Sequence, residues 1–229
     1  MANILIVAAH PDDEVLGCGG TIVRLAEKHN VRCLFLGSGR EPAKSSLELQ
    51  RLGLRVKEIL GYTGFTFRLG TRKDNQFDAQ PLLSLIKDVE SELFTMPFQE
   101  NNSVKVDYVF THFPHDLNVD HRMVSQAVQT VFRPEPGTHY KGLFFFEVLS
   151  STDWSYSVVS FRPNLFIDIT ITLEAKIRAM EVYSEELRKF PHPRSLGAMV
   201  NLAHYRGSMV GYETAEGFVI GYLRGELIP

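Results

Sequence analysis

NILIVAAHPDDEVLGCGGT, residues 3–21, runs without a break from apolar residues into one histidine, three consecutive acids and three glycines. The apolar part, Ile4–Ala9, shows no polar alternation, which is the pattern of a strand covered on both faces. Past the acids, Ile22, Val23, Leu25 and Ala26 interleave with Arg24, Glu27 and Lys28, which suits a helix over 19–30. The alternation repeats. VRCLFLG (31–37), FTFRLG (65–70) and VDYVFTH (106–112) read as buried strands. SLELQRLGLRVKEILGY (46–62), LLSLIKDVESELF (82–94) and HRMVSQAVQTVFRP (121–134) read as helices, the first stopped at Gly61 and the last at Pro134. This order predicts an α/β fold, a Rossmann-like, mostly parallel sheet with helices on both faces. The C-terminal third is less regular. Its expected elements are strands in GLFFFEVLS (142–150) and FRPNLFIDIT (161–170). A helix of about five turns follows over TLEAKIRAMEVYSEELRKF (172–190) and ends at FPHPRS (190–195).

Bulk composition narrows the class without naming a function. The chain has 229 residues, 44% of them hydrophobic, enough for one core and a single domain over 1–229. With 24 basic and 27 acidic residues the net charge is -3, so no general affinity for nucleic acid or anionic membrane is expected. Apolar runs are far shorter than a membrane span, and the N-terminus reads as a strand rather than a signal peptide. Cys18 and Cys33 are too few for a disulfide framework and read as small buried hydrophobes in a reducing compartment. These features describe a soluble cytoplasmic protein. A homo-oligomer is left open, with its interface expected in the apolar C-terminal third.

Chemistry concentrates at two strand ends. In open parallel sheets ligands bind beyond the carboxyl ends of the strands. His10, Asp12, Asp13 and Glu14 stand there after the first strand, and THFPHDLNVDHR (111–122) brings His112, His115, Asp116, Asp120 and His121 after the fourth. The two groups converge if these strands are neighbours. Imidazole nitrogen and carboxylate oxygen both suit zinc at about 2.0–2.2 Å. His10, Asp13 and His121 would make a two-histidine, one-carboxylate centre with positions left for water and substrate, and Asp12 would be free to act as general base. The glycines of GCGGT lack the spacing of a dinucleotide loop and read as a close helix–strand approach. Arg40, after the second strand, faces the binding edge, and His192 sits on a loop that can return over it.

AHPDDE (9–14), the GCGGT behind it and HFPHDLNVDH (112–121) together resemble the PIG-L/LmbE family of metal-dependent N-acetylglucosaminyl deacetylases. EVLSS (147–151), the PNLFIDI stretch (163–169) and FPHPRS extend the resemblance over nearly the whole chain. It implies His10, Asp13 and His121 as metal ligands, Asp12 as base and Asp120 as the residue orienting a catalytic imidazole. It also implies Arg51 as a substrate-binding arginine. The family's H-x-D-H histidine, a general acid, is here Asn118. His112, His115 and His192 are the candidates to replace it, or Asp12 serves twice. The expected reaction is zinc-dependent removal of acetyl from a GlcNAc-type sugar in a glycoconjugate or nucleotide sugar, with Fe2+ or Co2+ as substitute ions. Two other readings stand beside it: an amide hydrolase acting on a mycothiol- or bacillithiol-type conjugate, and a non-catalytic sugar-binding module.

Overall fold

A computed structural model describes residues 1–38, 45–68, 74–95, 99–100 and 103–225. Elements follow in the order β1 (Asn3–Ala8), α1 (Asp13–Ala26), β2 (Asn30–Phe35), α2 (Ser46–Leu60), β3 (Gly64–Phe67) and α3 (Leu82–Thr95). Next come a small ribbon of β4 (Gln99–Glu100) and β5 (Ser103–Val104), then β6 (Tyr108–His112), α4 (Val119–Val131) and β7 (Gly142–Phe146). The chain continues with β8 (Leu165–Asp168), α5 (Leu173–Val182), α6 (Leu196–Ser208) and β9 (Ala215–Leu223).

Among the described residues the main sheet has seven strands in the order β3-β2-β1-β6-β7-β9-β8. The first five are mutually parallel, and β9 runs antiparallel to both β7 and β8. Successive residues of β1 feed opposite cores, because strand side chains alternate. Ile4, Ile6 and Ala8 pack with Val15 and Ile22 of α1, Val56 of α2, Met180 of α5 and Met199 of α6. Leu5, Val7 and Ala9 pack with Leu85 and Val89 of α3 and Val124 and Val128 of α4. Helices therefore cover both faces, as the continuous apolar strands require.

After β1 the chain builds outward through β2 and β3, then crosses back to lay β6 on the other side of β1, with Ile4 opposite Tyr108. That reversal opens a crevice at the carboxyl ends of β1 and β6, the two strands whose ends carry the histidines and acids.

Several elements differ from the sequence expectation. Helix α1 begins at Asp13, inside the acidic turn, and breaks at Cys18 (φ -151°, ψ 24°). The groups freed at the break are met by the C-terminal third. Lys176 Nζ donates to Leu16 O at 2.9 Å and to Glu216 Oε1 at 2.5 Å, while Glu216 accepts from Gly20 N and Thr21 N at 3.1 and 2.7 Å. Helix α4 starts two residues earlier than expected, at Val119, with Asn118 Oδ1 accepting the Asp120 N–H. Helix α5 stops at Val182 rather than at 190, and β7 stops at Phe146. Neither α6 nor β9 was anticipated. Helix α2 packs through Leu49, Val56 and Leu60, while Leu47 and Leu54 are exposed.

The glycines of the first helix serve packing. A Cβ at Gly17 would lie 2.3 Å from the Phe146 ring, and one at Gly20 would lie 2.7 Å from Ile169. Gly17→Ala is expected to destabilise the protein by about 1–3 kcal/mol through overpacking, read as a lower urea midpoint with unchanged slope.

Candidate metal centre

The turn between β1 and α1 is held in a conformation that L-residues seldom adopt. Asp12 has φ 113°, a state that costs about 1–3 kcal/mol for a residue with a side chain. Glu14 Oε2 accepts the Asp12 N–H at 2.9 Å, and the Tyr183 hydroxyl donates to Glu14 Oε1 at 3.0 Å. Asp13 Oδ2 accepts the His10 N–H at 2.9 Å and closes the turn. The result sends Asp12 and Asp13 in different directions, Asp12 to the wall of the crevice and Asp13 beneath it.

Asp13 lies in the first turn of α1 and His121 in the first turn of α4, and both are fully buried. Asp13 Oδ1 stands 3.4 Å from His121 Nε2, and Asp13 Oδ2 stands 3.6 Å from His10 Nδ1. One ligand atom from each of His10, Asp13 and His121 falls within 4.8 Å of the others. Asp13 Oδ1 and His121 Nε2 have no hydrogen-bond partner among the described residues. Two buried polar atoms left facing each other are costly, and a cation between them would satisfy both. The donor set therefore fits a divalent ion.

The far nitrogen of each imidazole meets a carboxylate. His10 Nε2 is 2.9 Å from Asp120 Oδ2, and Asp120 also accepts from Asn75 N at 2.6 Å and Phe77 N at 3.0 Å. His121 Nδ1 is 3.2 Å from Asp116 Oδ1. Asp116 in turn accepts from the hydroxyls of Ser151 and Thr152 and from Asn118 N. Such contacts fix ring orientation and tautomer in metal-binding histidines. Burial alone would lower the His10 pKa, but Asp120 and Asp13 outweigh it and lift it to about 10. Burial acts the same way on His121, where Asp13 and Asp116 lift the pKa to about 9. The centre is strongly attractive to positive charge.

Above it opens a cavity of about 290 Å³, whose wall includes His10, Asp12, Asp74, Asn118, His192 and Arg194. Asp12 Oδ2 accepts from Arg194 Nη1 at 2.9 Å, and Arg194 Nε donates to Ser150 Oγ at 2.9 Å. Burial pushes the Asp12 pKa up to about 7 while the Arg194 guanidinium pulls against it. By sequence Asp116 could brace its loop or touch substrate, and the structure has it bracing the loop; Arg194 is not among the residues expected at the site. The FPHPRS stretch is the available signal for Arg194.

The other expected residues divide. His112 is fully buried, accepts the Ala9 N–H on Nε2 at 2.8 Å and stacks on His121 with ring centroids 3.9 Å apart. It packs behind His121 rather than into the cavity. His115 is exposed, edge-on to Phe113, and does not line the cavity. Arg51 is also exposed and off the cavity, because α2 turns Leu49 and Val56 inward and position 51 falls on the opposite side. Trp154 packs against His192 and does not itself line the cavity. Arg40 lies outside the described residues.

Comparison with known proteins makes this chain a hydrolytic N-deacetylase. Residues 5–132 match the PIG-L family, described as GlcNAc-PI de-N-acetylase, and the chain belongs to that family. The diacetylchitobiose deacetylase of Thermococcus kodakarensis is 27% identical over 233 residues, spanning 94% of this chain and 81% of the relative. Two of the solved structures that share the fold illustrate the likeness. The conserved protein TT1542 from Thermus thermophilus has a TM-score of 0.73 at 22% identity and full coverage of both chains. The N,N'-diacetylchitobiose deacetylase from Pyrococcus horikoshii, in complex with an inhibitor, has a TM-score of 0.72 at 19% identity, covering 95% of this chain and 83% of that one.

Asp120 ties His10 to the 75–77 loop, so removing it should loosen a ligand without removing one. Asp120→Ala is expected to weaken divalent-ion binding by about 10–100-fold, measured by competition with a chelator of known affinity.

Proposed function

We propose that this protein removes the acetyl group from an N-acetylated amino sugar of the GlcNAc type, carried in a glycoconjugate or nucleotide sugar. His10, Asp13 and His121 would hold the metal ion. Two imidazole nitrogens and one carboxylate suit zinc first, and Fe2+ or Co2+ fit the same donors. When bound, the ion would polarise the acetyl carbonyl and make water more acidic.

The chain's own residues account for the rest. Asp12 is turned away from the ligand set, on the cavity wall, where it takes a proton from the attacking water. Arg194 fixes that carboxylate through Oδ2 and leaves Oδ1 for the proton. Glu14 and Tyr183 hold the turn so that Asp12 cannot swing down beside Asp13. The observation that carries the reading is the buried pair Asp13 Oδ1 and His121 Nε2, which face each other at 3.4 Å with no hydrogen-bond partner among the described residues, directly behind a wall that offers a further carboxylate. A module that only bound sugar would need no such extra group.

The test is acetate release by zinc-loaded protein from free GlcNAc, UDP-GlcNAc, GlcNAc-inositol and diacetylchitobiose, with Asp12→Asn beside the wild type. The expected result is turnover of at least one substrate that stops when a chelator strips the ion and returns with zinc. Asp12→Asn should bind one equivalent of zinc and lose about 10²–10⁴-fold in kcat. Undiminished turnover in Asp12→Asn would remove Asp12 as the base.

A further inference from the structure

Amide hydrolysis needs a donor for the oxygen that gains charge and a proton for the nitrogen that leaves. Position 118 offers no imidazole, and the Asn118 side chain is engaged in capping α4. His112 and His115 do not line the cavity among the described residues. His192 does, and it is held on several sides. Its Nδ1 accepts the backbone N–H of Arg194 at 3.0 Å. Trp154 packs against the ring, 5.4 Å between centroids at 73°. The turn beneath is closed by His192 N to Lys189 O at 3.1 Å and Ser195 N to His192 O at 3.0 Å.

A ring nitrogen that accepts an N–H cannot carry a proton of its own. His192 is therefore a neutral imidazole with its proton on Nε2, and Nε2 has no partner among the described residues. Arg194 thus positions two groups at once: His192 through its backbone and Asp12 through its guanidinium.

We propose that His192 is a catalytic residue that works as a fixed hydrogen-bond donor and keeps its proton. The inference rests on the deacetylase reading above. Water adds to the acetyl carbon and one of its protons passes to Asp12. The carbonyl π pair moves onto oxygen, where the Nε2–H of His192 meets the new charge. The C–N bond then breaks, its electron pair goes to nitrogen, and nitrogen takes the proton held by Asp12. Amine and acetic acid leave, Asp12 is again ionised, and His192 ends as it began. Asp12 serves as base and then as acid, so this route needs no histidine at 118.

The experiment compares His192→Gln and His192→Phe with wild type and Asp12→Asn, all zinc-loaded. The glutamine amide can still donate, so His192→Gln should keep kcat within about tenfold of wild type, while His192→Phe should lose roughly 10²–10³-fold, the usual cost of one such donor. KM and zinc content should change little in either. An equal loss in both variants would make His192 a proton carrier and overturn the proposal, and full turnover in His192→Phe would remove it from the reaction. Nitrogen-15 NMR of the histidine ring at pH 7 reads the tautomer without turnover. A bare Nδ1 and protonated Nε2 are expected; an imidazolium or an Nδ1–H form would overturn the assignment. A wild type silent on every substrate would overturn the deacetylase reading and the catalytic role with it, and the NMR result would show whether the ring geometry failed too.

Discussion

Asp13 is a fully buried carboxylate with one oxygen committed to the turn and the other facing an imidazole nitrogen that has no other partner among the described residues. Much of the architecture answers that arrangement. A buried carboxylate is tolerated only where opposite charge or donors surround it. Here they come from the N-terminal turns of two helices, α1 and α4, that start from neighbouring strands. His10, His112 and His121 all stand within 3.6 Å of the Asp13 carboxylate, and His121 holds the Asp13 pKa well below the ordinary carboxylate range against the effect of burial. The crossover from β3 back to β6 is what brings these groups to one place. With any other strand between β1 and β6, the two histidine-rich ends would lie at least one strand spacing further apart, about 4.8 Å, and could not share an ion.

The second requirement is rigidity around that charge. Asp120 and Asp116 each hold one imidazole of the His10–Asp13–His121 group and one stretch of loop. Asp120 gathers residues 75–77; Asp116 gathers 118 and the Ser151–Thr152 turn. The same carboxylates therefore orient the two rings and shape the cavity rim. A site built this way is preorganised, since the rings need not turn when an ion or substrate arrives.

The C-terminal third completes what the first two thirds begin. Tyr183 reaches Glu14 from the end of α5, and Arg194 reaches Asp12 from the loop that follows. The Lys176–Glu216 pair stabilises the break in α1 that places Asp13 and Glu14. The early end of α5 has a function in this light. A helix continued to residue 190 would carry residues 184–190 away along its axis, whereas the observed turn returns Glu186, His192 and Arg194 to the cavity.

The amino-acid pattern by itself determined the parallel α/β core, the two strand ends that meet and the set His10, Asp13 and His121 that comes together there. Those features are local: apolar runs, helical periodicity and polar residues placed just past a strand. Only the tertiary structure decided the partners of Asp12, Glu14, His10 and His121, because Arg194, Tyr183, Asp120 and Asp116 pair with them through side-chain contacts that leave no periodic trace. It also decided where α5 stops. The apolar spacing beyond Val182 is compatible with helix, but Tyr183 is drawn to Glu14 and Arg194 to Asp12, and those buried contacts outweigh a few residues of propensity. Strand β9 was hidden for a related reason. Gly217 and Gly221 interrupt its pattern, and they are required because Pro163 and Phe145 pack where side chains would stand. Arg51 and His115 show the converse: each has suitable chemistry, but the packing of its neighbours turns it to solvent.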